Sequence, residues 1–458
     1  MKKIVIVESP TKQKTIAKFL PEGYQVTASR GHIRDLAIVG PGGLGVDIKN
    51  NFKPTYVISE NKESTVKYLK SIAQGNEVIL ATDPDREGEA IAWHIADELG
   101  LDLKTTTRLE FHEITKSGIE NALKQPKLVD LDLVNSQEAR RIIDRIIGFK
   151  LSKLVKEKVN SESAGRVQSA VLKMIIDKQK EIDDFQKETY YDITATYKEN
   201  YIFNLNKIND VKVEKITNIA KDIVDNFDGT LKITSVITEE KTHYPSPVYT
   251  TSSLQIDASR KLNFTAKKTM QLAQNLYEGK QIGNRLVGLI TYMRTDSTNV
   301  SGLFISLGRK KLSELLGNEY VSSSVMKGKT LKGAQEAHEG IRPTQLDIPL
   351  EDLAKALSKD EYKLYELIYY RALSALAKPR LTLDTTILAT SNIVVPQDSI
   401  TFQTVIQSSD SCPLEFKLVL SRTTFEGFCK LSSIFKYTDT KKLEIPETNT
   451  ILKPCEIK

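Results

Sequence analysis

The sequence predicts a multidomain protein: an α/β part on a mostly parallel sheet, a basic helical region, and a β-rich frame carrying an inserted helical part. Three observations predict it. Short apolar runs alternate with helical patterns over residues 1–130, and strand signals then stop between Leu131 and Phe185. Further on, two sets of alternating apolar and polar residues flank a helix-rich stretch. A chain of 458 residues exceeds one ordinary core, which suits several domains.

In chain order, "KKIVIVESP" is a continuous apolar run, the mark of a strand buried on both faces. Ser9 and Pro10 then signal a helix start leading into "TKQKTIAKFL". "GYQVTAS", "YVISE", "EVILATDP" and "TRLEF" read as further strands. "ESTVKYLKSIAQG" and "EGEAIAWHIADELG" read as helices closed by Gly75 and Gly100. Together they make a domain over 1–130 with a short insertion near 31–58. Over 131–188, "NSQEARRIIDRIIGFKLSKLVKEKV" and "VQSAVLKMIIDKQKEI" set apolar residues at helical spacing beside many Lys and Arg. "TYYDITATYKENYIFNLNKI" alternates as strands do, as does the stretch from "LTLDTTILAT" to "TTFEGFCKLS". The β-rich frame therefore covers 189–249 and 371–458, with a helical domain over 250–370 inserted into it.

Hydrophobic residues at 40% and charged residues at 27% are values of a soluble globular protein. The apolar run of "MKKIVIVESP" ends at Glu8, too early for a secretion signal, and no run reaches membrane-spanning length. A cytoplasmic location is expected. Cys412, Cys429 and Cys455 form no C-x-x-C pair, which argues against a zinc ribbon and a disulfide framework. The net charge of +6 is consistent with a polyanion partner without specifying one.

The chemistry concentrates in "ILATDPDREGEAIAWH". Asp83 falls at the carboxyl end of a buried strand, where open α/β sheets place ligand sites, and Glu8 ends another. With Asp85 and Glu87 this makes four carboxylates at one sheet edge, which need protons or a cation to offset their repulsion. No His or Cys cluster accompanies them, and oxygen-only ligation favours Mg²⁺ and phosphate chemistry. The alternative is a solvated acidic turn ahead of a helix, since acidic residues favour helix N-termini.

"IVIVESPTKQKTIAKFL", "SRGHIRDL" and "ATDPDREGEAIAWH" resemble the TOPRIM domain of bacterial type IA DNA topoisomerases. TOPRIM domains also occur in primases, recombination proteins and nucleases, so the carboxylates alone do not separate these. "GLITYMRTDST" resembles the family's active-site motif. It implies that Tyr292 attacks a DNA phosphodiester, giving a 5′-phosphotyrosyl link and a free 3′-hydroxyl. A phenol is a poor nucleophile near its usual pKa, and Arg294, two residues on, suits a developing phosphate charge. The same resemblance implies that Glu8 gives a proton to the leaving 3′-oxygen, with Lys12 assisting. "QEAHEGIRPT" is similar to a further motif, commonly with Ala where Gly340 stands, and implies His338 near the tyrosine.

"ARRIIDRIIGFKLS" and "SAGRVQS" match the family's single-strand groove. The residues carried over are Arg140, Arg141, Asp144, Arg145 and Lys150 from the first. Ser163, Ala164, Gly165, Arg166, Val167 and Gln168 come from the second, and His32 joins them. No G-x-x-x-x-G-K-[ST] loop is present, so no ATP is expected. The implied fold is a type IA toroid: TOPRIM sheet, helical DNA-binding region, β-rich arch and inserted tyrosine-bearing domain. A later core segment worded like "GIGRPSTYA" and the C-terminal zinc ribbons have no counterpart in this sequence. The implied activity is Mg²⁺-dependent, ATP-independent relaxation of negatively supercoiled DNA by a nucleoid-associated monomer. Two other readings stay open: a shortened or split form that only binds and cuts single strands, and another TOPRIM nuclease or primase.

Overall fold

The structure, a computed structural model, describes residues 2–198, 200–213, 215–216, 219–328, 339–394, 411–440 and 443–458. The chain divides into two compact units. One comprises 1–183, 246–311 and 323–376, the other 184–245, 312–322 and 377–458.

In the first unit four parallel strands lie in the order Tyr24–Ala28, Lys3–Val7, Glu77–Leu80, Thr107–Arg108. The apolar run Ile4 to Val7 is almost wholly buried because it occupies the middle of this sheet with both faces covered. Its neighbour is Glu77–Leu80, with Ile6 opposite Leu80. That register sends Glu8 and Asp83 off the same sheet edge although 75 positions separate them in sequence. "YVISE" does form a strand, Tyr56–Ile58, but it pairs antiparallel with Arg34–Leu36 outside the parallel sheet. Val57 is exposed there, unlike a residue of a central strand.

Helix starts follow the side chains that satisfy their free N–H groups. Ser9 Oγ accepts from Lys12 N at 3.1 Å to begin Pro10–Ile16. Asp85 Oδ1 accepts from Gly88 N at 2.8 Å to begin Arg86–Glu98. Asp130 caps the 29-residue helix Leu131–Val159. The next helix, Arg166–Asp183, has no buried residue and displays Val171, Met174 and Ile175 to solvent.

The second unit is built on an antiparallel sheet of eight strands among the described residues. Long strands Leu231–His243, Arg380–Val394 and Ser411–Phe425 lie side by side, flanked by Tyr201–Ile208. Phe203, Ile233, Ile387 and Phe416 fill its core. "FEGFCKLS" departs from the strand reading: the strand stops at Phe425 and Gly427–Leu431 is a short 3₁₀ turn. Gly427 has φ +54°, and a Cβ there would stand 2.2 Å from the Pro379 carbonyl oxygen, so the chain turns where only glycine fits. Among the described residues no helix is long and apolar enough to cross a membrane.

His94, on Arg86–Glu98, is 4% exposed, and its Nδ1 accepts from Arg34 Nε at 3.1 Å. Burial first, then the Arg34 charge, lowers its pKa from 6.5 to about 3. The folded state thus excludes a proton that the unfolded chain takes up below pH 6.5, so this stabilisation is complete above 6.5 and drains away as pH falls toward 3. Between pH 7.5 and 5.5 the loss is about 1.4 kcal/mol. Urea unfolding at both pH values should show His94→Gln losing less stability than wild type by about that amount, whereas equal losses would contradict this assignment.

Candidate active site

Lys12 lies one helical turn beyond Glu8 and reaches back over the sheet edge. Its ammonium bonds both Glu8 Oε1 and Asp83 Oδ1, and its side chain is 3% exposed. Burial works against its charge, but Asp83 and Glu8 outweigh burial and raise its pKa above the ordinary lysine value. Asp83 moves the other way from a free carboxylate. Burial pushes its pKa up to about 6 while Lys12 pulls down and Glu8 adds to the rise.

The tyrosine arrives on an irregular segment. Gly288 N donates to Ile114 O at 3.0 Å, Thr291 N to Arg342 O at 3.0 Å, and Tyr292 N to His112 O at 2.9 Å. A Cβ on Gly288 would meet the Tyr277 carbonyl oxygen at 2.4 Å, so glycine permits this close passage. The Tyr292 hydroxyl donates to Asp85 Oδ2 at 2.6 Å, and its ring meets Tyr277 edge-on at 5.3 Å. Tyr292 is 2% exposed. Burial, then Asp83 and Asp85, push its pKa far above that of a free phenol, so the resting hydroxyl keeps its proton.

Glu87 turns elsewhere, to His32 Nε2 at 3.5 Å and to Gln137 Nε2, which donates at 3.0 Å. The His32 bond, with burial opposing and Gln137 helping, lowers its pKa to about 2. The four carboxylates expected to converge are therefore divided among Lys12, Tyr292 and the His32–Gln137 pair. Among the described residues no group of three or more His, Cys, Asp or Glu stands ready to hold a metal. The offsetting cation for Glu8 and Asp83 is a side chain of the protein itself. The donor chemistry still suits a hard divalent ion, being oxygen-only, and Glu8 Oε2 is buried without a partner.

Arg294 is exposed, with no hydrogen bond or ion pair among the described residues. His338 lies outside the described residues. Of the basic residues, Arg141 forms a two-pronged pair with Asp35, one arm at 2.9 Å. Arg145 is buried and donates to the carbonyls of Leu36 and Ala37 at 2.9 and 3.3 Å. Asp144 joins Arg140 at 3.9 Å and Arg166 at 2.7 Å, bridging the two basic helices. Ala164 is held by Ser152 Oγ, while Gly165 is half-buried and Lys150, Ser163, Val167 and Gln168 are exposed. His32, Arg34, Glu87, Gln137 and Arg141 line a cavity of about 300 Å³ beside the acidic turn. Sequence reasoning missed Arg108 and Glu89, a wholly buried pair under that turn, 3.0 Å apart. The one available signal was an arginine inside the strand stretch "TRLEF".

A family model described as DNA topoisomerase matches residues 129–452, and one described as Toprim domain matches residues 3–114. The chain belongs to the DNA topoisomerase family. It is 44% identical over 412 residues to DNA topoisomerase 1 of Campylobacter jejuni, covering 88% of this chain and 57% of that protein. Its fold matches full-length topoisomerase I from Thermotoga maritima with a TM-score of 0.84 at 35% identity, covering 99% of this chain and 71% of that one. The chain thus spans little more than half the length of the Campylobacter relative.

Lys12→Met leaves two neighbouring carboxylates without their cation. Unfolding free energy near neutral pH should fall by on the order of 3 kcal/mol, read by urea titration. A loss no larger than that of an exposed lysine would contradict the bridging role.

Proposed function

We propose that this chain cuts and rejoins one strand of DNA as a type IA topoisomerase, with Tyr292 as nucleophile. The observation that carries the reading is the Tyr292 hydroxyl on Asp85, in one site with Glu8, Lys12 and Asp83. A phosphate entering there meets an attacking phenol, a carboxylate beside it that already accepts its proton, and a lysine cation. The phenol oxygen bonds to phosphorus as its proton passes to Asp85, and the 3′-oxygen leaves, taking a proton that Glu8 relays from the Lys12 ammonium bonded to it. Reversal of the same steps reseals the strand. Arg294, exposed and without a hydrogen bond or ion pair among the described residues, supplies charge to the phosphate, and His338 would join it by its motif.

Tyr292 is buried, so DNA enters as the tyrosine segment draws back from His112 and Asp85, and the proton passes to Asp85 once the segment has returned over the bound strand. We assign the single-strand track to His32, Arg140, Arg141, Lys150 and Arg166. Asp144 and Arg145 hold that track in place, and the small residues Ser163 to Gly165, with Val167 and Gln168, allow close backbone approach. Asp83, Asp85 and Glu87, with Glu8, would hold Mg²⁺, which when bound supplies positive charge to the phosphate. The reaction conserves the energy of the cut bond in the phosphotyrosine, so torsional strain in underwound DNA drives a monomer without a nucleotide.

Because the chain spans 57% of the Campylobacter relative, cleavage and strand passage are tested separately. Negatively supercoiled plasmid with Mg²⁺ should give a ladder of topoisomers with wild type and none with Tyr292→Phe. A covalent adduct on a single-stranded oligonucleotide without a ladder would assign cleavage without strand passage. Free cut ends without an adduct would make the chain a nuclease and overturn the reading.

A further inference from the structure

Arg108 ends the edge strand Thr107–Arg108 and is 0% exposed. Its Nε donates to Glu89 Oε2 at 3.0 Å, Nη1 to Thr82 O at 2.9 Å and Nη2 to Asp83 O at 2.8 Å. Nη1 also bonds the Leu109 carbonyl. Glu89 is 1% exposed, and its other oxygen accepts from the Asp130 N–H at 2.8 Å, the residue that caps Leu131–Val159. Gly88 closes the turn from above: Thr82 Oγ1 donates to Gly88 O at 2.6 Å, and a Cβ on Gly88 would stand 2.1 Å from Asp83 O.

A buried ion pair is a weak source of stability, since apolar residues of similar volume often serve as well. Apolar residues cannot, however, satisfy the inward carbonyls of Thr82 and Asp83. The guanidinium, with five donors in a fixed fork, bonds both.

We propose that Arg108 and Glu89 are positioning residues: their buried pair fixes the backbone of Thr82 to Asp85 so that Asp83 stays on Lys12 and Asp85 on Tyr292. Through Asp130 the pair also ties this turn to the start of the helix bearing Gln137, Arg140 and Arg141. The functional consequence rests on the topoisomerase reading; the positioning itself does not.

The test is the double variant Arg108→Met, Glu89→Leu, which removes the pair as a unit and leaves the carbonyls of Thr82, Asp83 and Leu109 without the guanidinium, beside Arg108→Lys, which keeps one charge but loses the fork. Urea unfolding reports the fold. Amide hydrogen exchange over residues 82–88, calorimetric Mg²⁺ titration and the rate of adduct formation on a single-stranded oligonucleotide report the site. The double variant should stay folded with some loss of global stability, since buried carbonyls lose their donor, while exchange over 82–88 quickens about tenfold more than across the rest of the parallel sheet. Mg²⁺ affinity and adduct rate should fall about 10–100-fold with KM for the oligonucleotide moving less than about twofold. Arg108→Lys should recover part of each loss. Unchanged exchange over 82–88, or exchange that quickens equally across the whole parallel sheet, overturns the proposal by making the pair general support. If wild type forms no adduct, the topoisomerase reading fails while the exchange measurement still decides the positioning.

Discussion

Glu8 and Asp83 leave neighbouring parallel strands, so their carboxylates approach where little water remains, and Lys12 supplies the charge that lets both stay. Two like charges at that separation would otherwise force a proton onto one of them. Burial first, with Glu8 adding, still leaves the Asp83 pKa raised to about 6 against the pull of Lys12. Its neighbours follow from the same constraint. Asp85, two residues on, caps the helix that turns away from the sheet, and its second oxygen holds the Tyr292 hydroxyl. The Tyr292 hydroxyl is thus seated by a residue that also caps a helix.

The closed seat has a cost in access. A phenol that is buried, protonated and bonded to a carboxylate is well placed but shielded from a phosphodiester. The tyrosine segment is held by backbone bonds to His112, Ile114, Leu276 and Arg342 and by the hydroxyls of Thr251, Thr291 and Thr344. The parallel sheet beneath has its register set by apolar residues buried on both faces.

Much of this was legible because its signals are local. Ser9 with Pro10, and Asp85 ahead of Gly88, start helices through bonds spanning three residues. The apolar run of Ile4 to Val7 needed only its own composition to be read as a central strand. What stayed hidden depends on strand order. No local pattern says that Lys12 bridges to a residue 71 positions away, that it stands between Glu8 and Asp83, or that Arg108 bonds the carbonyls beneath the acidic turn. Arg145 shows the limit of charge counting. It reads as one more basic residue of a DNA groove, yet it is buried on the carbonyls of Leu36 and Ala37. The helix Arg166–Asp183 was readable as a helix, but its bare apolar residues were not, since periodicity shows a face and not what covers it.

In the proposed reaction Tyr292 is the nucleophile that cuts the DNA strand. The most direct measurement traps the chain on a single-stranded oligonucleotide, digests the adduct and locates the DNA-bearing peptide by mass spectrometry. The account predicts a nucleotide 5′-phosphate on Tyr292, within "GLITYMRTDST", and no adduct with Tyr292→Phe. A DNA-linked peptide from any other part of the chain would contradict it.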